Sequence, residues 1–172
     1  VLVGLSLFMT LLVMAPTFER VNREFISPMQ NNAFASNAEA WSAAKQPLRD
    51  FMFDQIEHAQ NNEDLYMILN YRSVDTSRPE QLKRQDVDML TLVPAFILSE
   101  LKVAFLMGFR LYLPFLVIDM VVASVLISMG MLMLPPVLIS LPFKLLLFVL
   151  VDGWMLVSAS LLGSFAVPGV TT

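Results

Sequence analysis

One apolar tract, residues 90–167, constrains the fold of this chain more than any other feature. It is almost continuously hydrophobic, yet it contains five prolines and six charged residues. A charge near the middle of a bilayer costs about 3 kcal/mol or more, so such charges usually pair or face a protein interior. The tract therefore predicts helices packed on other helices around polar groups rather than a simple anchor. The six charged residues are Glu100, Lys102, Arg110, Asp119, Lys144 and Asp152.

The composition supports a membrane protein. Hydrophobic residues make up 56% of the 172 residues and charged residues only 15%, against about 25% charged in soluble domains. Cysteine is absent, which excludes disulfides, a thiolate nucleophile and a cysteine zinc site. Most charges lie in residues 19–89, which hold 12 acids and 8 bases. Because no basic patch is present, we expect no nucleic-acid partner.

Hydropathy divides the chain into three parts. Residues 1–16 form an apolar helix that stops at Pro16, short of the roughly twenty residues a span needs, so we expect its earlier part upstream. Residues 17–89 form a polar helical insert, and residues 90–167 form an apolar helical hairpin region. No stretch alternates between apolar and polar residues as strands do. The sequence predicts an all-α, membrane-type protein.

Two local patterns organise the insert. Ser36 and Glu39 fit a capping box that opens a helix, and Pro47 is expected to break that helix or begin its second part. An apolar face follows at helical spacing, so we expect it to bury against another helix or subunit. We therefore predict that Phe51 contributes to assembly. The apolar residues of this face are Leu48, Phe51, Met52 and Ile56.

Prolines and a glycine divide the apolar tract. We predict a first helix over 93–112, interrupted at Pro114, and a second over 115–129. Gly130 followed by the proline pair at 135–136 should end that helix and turn the chain. A last helix, kinked at Pro142, continues to about residue 163. Broken apolar helices are tolerated only where protein or a cavity satisfies the backbone.

The turn brings charged residues to matching depths. Asp119 lies thirteen residues before Leu132 and Lys144 twelve after it, so an antiparallel hairpin makes them level partners, within or between subunits. Arg110 and Asp152 are level by the same count, although two kinks intervene. Each pair is interpreted either as structural neutralisation or as functional.

Glu100 and Lys102 cannot pair with each other directly. Residues two apart on a helix point about 200° apart. Each charge is therefore either solvated or paired with a neighbouring copy or another protein. We predict that both, together with Arg110 and Asp152, contribute to inter-subunit assembly.

Three methionines alternate across the turn. Met129, Met131 and Met133 would not share one face of a helix, so the sequence favours a loop over 129–136. Methionine is flexible and polarizable, and it suits surfaces that adapt to variable partners. Several copies of the loop around an axis would form a soft pore gasket, whereas in a single copy the methionines would be ordinary core.

The sequence carries no signature of catalysis. His58 is the only histidine, and the chain has no H-E-x-x-H, no Gly-rich phosphate loop and no G-x-S-x-G elbow. We predict that the protein is not an enzyme and has no catalytic, cofactor-binding or metal site. A rival hypothesis is an ion-coupled transporter or channel subunit that uses the Asp119–Lys144 pair, although no inverted repeat supports it.

Several blocks resemble one known family. Residues 5–16 read LSLFMTLLVMAP, residues 47–52 read PLRDFM, and residues 94–102 read PAFILSELK. Residues 114–136 read PFLVIDMVVASVLISMGMLMLPP, and residues 141–154 read LPFKLLLFVLVDGW. In this order they resemble the FliP family, the P-type export-gate subunit of the bacterial flagellar type III secretion apparatus, which has counterparts in virulence injectisomes. The family's signal sequence and first apolar helix have no counterpart in this sequence.

The resemblance implies a role in protein export. Members assemble in several copies with Q-type and R-type gate subunits into a helical channel, beside other membrane proteins of the export apparatus. Unfolded flagellar export substrates pass through it. The resemblance also implies a multi-pass protein of the bacterial inner membrane, in contact with lipid, at the flagellar basal body. The polar insert is then expected on the periplasmic side.

Overall fold

The computed structural model describes residues 2–74, 83–131 and 135–165, and most of these residues are helical. No strand occurs in these ranges, which confirms the predicted all-α class. A π-helical segment, Asn22–Ile26, follows α1, and a 3-10 turn, Arg84–Asp86, precedes α5. The α-helices are α1 (Leu2–Val21), α2 (Ser27–Gln30), α3 (Asn37–His58), α4 (Asn62–Tyr71), α5 (Met89–Ser128), α6 (Pro136–Leu150) and α7 (Gly153–Gly163).

Two helical segments are long and apolar enough to cross a membrane, Leu2–Gln30 and Met89–Ser128. The pair α6 and α7 makes a third if the two are counted as one bent span. The expectation that the first helix stops at Pro16 is wrong, because α1 continues through Pro16 to Val21. A proline removes only one backbone donor, and neighbouring groups can compensate for it in apolar helices.

The prolines of the apolar tract also interrupt its helices less than expected. Instead of two helices separated at Pro114, the 40 residues of α5 run unbroken through Pro94 and Pro114. Likewise α6 continues through Pro142. The predicted turn is present where α5 ends, with Gly130 at a φ of 73° that favours glycine. Pro136 then opens α6, a position where its missing N–H is harmless.

The break in the last helix lies at residues 151–152 and not at Pro142. There α6 and α7 meet at an angle of 64°, and Asp152 has a φ of 51°, in the left-handed region. Gly153 begins α7, and a β-carbon at this position would overlap the ring of Phe148. That ring packs edge-on against Trp154, with centroids 5.5 Å apart. Glycine therefore allows the aromatic contact that accompanies the bend.

The chain forms two compact units, one within residues 2–101 and one formed by Lys102–Gly163. In the first unit, Ser36 caps α3 by accepting from the Glu39 N–H at 3.2 Å, which confirms the predicted cap. The expected break at Pro47 is wrong, because Pro47 is buried inside an unbroken α3. The core of this unit joins α3, α4 and the start of α5. Its buried apolar residues are Met52, Phe53, Ile56, Leu65, Leu69, Val87, Leu92 and Ala95.

Candidate functional site: a charge pair in the apolar hairpin

The second unit brings Asp119 of α5 and Lys144 of α6 into contact. The Lys144 Nζ lies 2.7 Å from the Asp119 Oδ2. The Lys144 side chain is 22% exposed and the Asp119 side chain 31% exposed. An ion pair of this kind lets two apolar helices keep a charge at a depth where an unpaired one would be costly.

Ser140 is a third member of this site that the sequence analysis missed. Its hydroxyl donates to the Asp119 Oδ1 at 2.6 Å, and the residue is completely buried. Because Ser140 lies four residues before Lys144, both side chains project from one face of α6. The Asp119 carboxylate is thus held on one oxygen by a hydroxyl and on the other by an ammonium group. The i, i+4 spacing from Lys144 was the available signal.

An aromatic contact fixes the register of the same two helices. The rings of Phe115 on α5 and Phe148 on α6 have centroids 6.4 Å apart. Phe115 lies four residues before Asp119, and Phe148 lies four residues after Lys144. Both contacts therefore agree with one antiparallel register.

Arg110 and Asp152 form no ion pair in the described part of the chain, in contrast to the expected partnership. Both are exposed. The register makes them level, but Arg110 and Asp119 are nine positions apart, which places these two side chains about half a turn apart on α5. Since Asp119 points directly at Lys144 of α6, Arg110 does not share the face of α5 on which that contact forms. Two charges at the same depth can form an ion pair only if their side chains also point toward each other, and equal depth does not establish that.

The remaining predicted residues of the apolar tract lie on α5 and just after it. Glu100 is half-buried and Lys102 exposed. Met129 and Met131 flank Gly130 in the turn after α5 and are 67% and 41% exposed. Met133 lies outside the described residues. Their proposed roles stay predictions.

Phe51 of the insert packs inside its own chain. Its ring meets that of Phe96 on α5 at 6.0 Å between centroids, close to edge-on. Leu48, one turn earlier on the same helix, is 40% exposed. The predicted apolar face is thus divided between a buried part and an open part.

A group of arginines that the sequence analysis did not single out ties the segment before α5 to α3. Arg84 forms ion pairs with Asp54 at 2.8 Å and Glu57 at 2.7 Å. Burial alone would lower the pKa of Arg84, but the hydrogen bonds to Glu57 and Asp54 outweigh it and raise the pKa. Arg49 donates to the backbone oxygens of Arg84 at 2.7 Å and Val87 at 2.8 Å.

A second arginine contact lies at the start of α5 and predicts a pH dependence. Arg72 donates to Asp88 at 3.2 Å and to the hydroxyl of Thr91 at 2.8 Å. The hydrogen bond from Arg72 lowers the pKa of Asp88 below its ordinary value of 3.8. A carboxyl with a lowered pKa stabilises the fold above the unfolded value and loses that contribution as the pH falls through the folded value.

We therefore expect Arg72→Met to lower the thermal unfolding temperature at pH 7. The Asp88 part of that difference should begin to shrink as the pH falls below the ordinary carboxyl pKa of 3.8 and vanish below the lowered folded pKa, where the carboxyl is protonated in wild type and variant alike. Thermal unfolding of both proteins in detergent between pH 3 and 7 measures it. A difference that is constant across this range would assign the whole effect to the Thr91 contact.

No cluster of acidic or histidine side chains suited to a metal ion occurs in the described ranges. The site consists of the Asp119–Lys144 ion pair and the buried Ser140 hydroxyl. Such an arrangement can join the two helices.

Comparisons with known proteins give one consistent result. A family model described as the FliP family matches residues 1–161. A flagellar biosynthetic protein FliP of Bacillus subtilis is 53% identical over 165 residues, which cover 96% of this chain and 71% of the relative. Proteins of the same name from Caulobacter vibrioides and Borreliella burgdorferi are 48% and 44% identical over 96% of this chain. The chain spans 59% and 63% of the lengths of these two relatives.

Proposed function

The chain belongs to the FliP family, and from that membership we propose that it is a core subunit of the flagellar type III protein export gate. In this role it helps to form the channel through which unfolded flagellar proteins cross the inner membrane. The role is one of transport and structure rather than catalysis. The observation that carries the proposal is the family match across nearly the whole chain, including both helices that hold the Asp119–Lys144 pair.

The proposed partners are further copies of this chain, the Q-type and R-type gate subunits and other membrane proteins of the export apparatus. The polar insert, residues 17–89, is assigned to the periplasmic side, and the apolar region, residues 90–167, to the channel wall. Glu100, Lys102, Arg110 and Asp152 are proposed as assembly contacts. The half-buried carboxyl of Glu100 on α5 supports this assignment, because a charge on an apolar helix needs a partner outside its own helix.

The mass of the purified complex tests assembly. We expect the full-length protein, purified in detergent with its Q-type and R-type partners, to form a stable particle that contains several copies of this chain. The same protein should restore motility to a flagellated bacterium that lacks its own family member. A monomer that binds neither partner would contradict the export-gate assignment.

The methionine turn is proposed as the gasket of the channel. In a ring of several copies, Met129, Met131 and Met133 would bring many thioether side chains to one level near the axis. Such a collar deforms around chains of different sequence, because methionine has three rotatable bonds and no charge. An apolar constriction also excludes ions by dewetting. The exposure of Met129 and Met131 beside Gly130 supports this role.

Replacing both Met131 and Met133 with alanine should leave assembly intact but make the membrane leak. Alanine removes most of the apolar volume of the collar without adding a charge. We expect severalfold faster entry of a small dye or of protons into cells that express the variant with its partners. The matched control is Met155→Ala on α7, which is also exposed but lies away from the turn. Loss of assembly without leakage would show that the methionines are ordinary core.

A further inference from the structure

We propose that a groove between α5 and α6 binds one acyl chain of a membrane phospholipid, whose phosphate pairs with Arg110. The groove has a volume of about 550 Å³. This inference rests on the membrane location of the two helices and does not depend on the export role. The groove residues that carry the argument are Val117, Val121 and Val125 on α5, with Phe143, Leu146 and Leu150 on α6.

The groove is an open, wholly apolar surface. Every residue that lines it is Val, Ile, Leu or Phe. Val121 and Phe143 are 56% and 53% exposed, and Leu150 is 73% exposed. A surface of this kind on membrane helices needs an apolar partner.

The lining favours a lipid chain over another helix. Helices that pack closely in membranes use Gly, Ala, Ser and Thr at the contact, because small side chains let the backbones approach. The groove contains none of these residue types. Bulky branched side chains keep a neighbouring backbone at a distance, whereas a thin and flexible acyl chain fits between them.

Arg110 lies at the right place for the headgroup. Arg110 lies seven positions before Val117, so the two side chains share one face of α5 and are about 10 Å apart along the axis. From Arg110 to Leu126, the last groove residue on α5, the helix rises about 24 Å. Half of a bilayer including its headgroups measures about 20–22 Å. A lipid with its phosphate at Arg110 would therefore extend its chain along the full groove.

The distribution of charges agrees with this depth. Arg110 and Asp152 are level, exposed and without an ion pair in the described residues. Asp119 and Lys144 lie nearer the turn on the same two helices and pair with each other. Unpaired charges are tolerated at the headgroup level, whereas charges in the hydrocarbon interior need partners. A phosphate group supplies an anion for Arg110, which forms no ion pair within residues 2–74, 83–131 and 135–165.

The first test places a photo-crosslinking amino acid at Val121 of the full-length chain. Illumination after detergent exchange, which removes loosely bound lipid, should yield a phospholipid adduct detectable by mass spectrometry. Val149 is the matched control, because it is an exposed valine on α6 outside the groove. An adduct with a second copy of this chain at position 121, in place of lipid, would overturn the proposal.

The second test measures binding by native mass spectrometry. The detergent-solubilised protein is titrated with phosphatidylglycerol and with a diacylglycerol of the same acyl chains, which lacks the phosphate. Val121→Trp should fill the groove and reduce binding of both, whereas Val149→Trp should not. Arg110→Gln should weaken phosphatidylglycerol binding about fivefold, as expected for one cation near a lipid phosphate, and leave diacylglycerol unchanged.

Two results would contradict the lipid site in this second test. One is equal lipid binding by the Val121→Trp and Val149→Trp proteins, and the other is an equal loss of both lipids in Arg110→Gln. Arg110 is exposed, so its substitution tests the headgroup contact even if Val121→Trp does not fold. Assembly with Q-type and R-type partners, measured separately, keeps this outcome distinct from the export role.

Discussion

We expect Lys144→Ala to abolish motility and to reduce export of flagellar substrates at least about tenfold, because it leaves the Asp119 carboxylate in an apolar hairpin without its cation. The two groups are 2.7 Å apart, so the effect should follow from their direct contact. Ser140 would still donate to Asp119, but a hydroxyl neutralises no charge. Secretion assays and soft-agar motility in a strain lacking its own family member measure both effects.

Three variants separate charge from packing in this prediction. Lys144→Arg keeps the cation and should retain most of the function. Exchanging the two residues, Asp119→Lys with Lys144→Asp, should restore part of the motility that either single change loses. Asp119→Asn removes the anion and retains the acceptor for Ser140, so its loss of function would be due to charge. Wild-type motility in Asp119→Ala would refute the functional importance of the pair.

The contact between Asp119 and Lys144 could be predicted because it follows from the number of residues between the turn and each of the two charges. A glycine and two prolines mark the turn, and residues at equal distances from it reach equal depths in a hairpin. The same count failed for Arg110 and Asp152, because it ignores the direction in which a side chain points. Ser140 was missed because its four-residue spacing from Lys144 indicates a role only once Lys144 is known to face Asp119.

The positions of helix breaks could not be predicted from proline alone. Pro16, Pro47, Pro114 and Pro142 all lie inside continuous helices. Local propensity is a weak guide where long apolar helices and tertiary contacts compensate for one missing donor. The actual break, at residues 151–152, depends on Gly153 and its fit against Phe148. That fit is a property of packing that the sequence does not reveal.

In the insert, too, contacts between residues close in sequence could be predicted, whereas contacts between distant residues could not. The cap of α3 depends on residues three apart, and the sequence predicted it. Arg84, in contrast, pairs with Asp54 and Glu57 across 30 and 27 residues of chain. Such contacts require the helices to be placed first, and many arginines and acids in the insert could have formed other pairs.

Phe51→Asp should unfold the first compact unit or destabilise it by about 3 kcal/mol or more, because it removes an apolar ring and places a charge among buried side chains. The ring packs on Phe96 and against the core that joins α3, α4 and α5. Assembly with the Q-type and R-type partners should be lost together with the fold. Thermal unfolding and limited proteolysis of the purified variant measure the first effect, and the mass of the complex measures the second.

Leu48→Asp distinguishes burial within the chain from contact between subunits. Leu48 lies on the same apolar face as Phe51, three residues earlier on α3, but it is 40% exposed. If the face serves only to bury α3 against its own chain, Leu48→Asp should fold and assemble normally while Phe51→Asp should not. If the open part of the face contacts another subunit, Leu48→Asp should fold with an unchanged unfolding temperature and yet fail to assemble. An intact complex containing the Phe51→Asp chain would show that the Phe51 ring is needed neither for folding nor for assembly, because a charge at a required apolar contact would disrupt that contact.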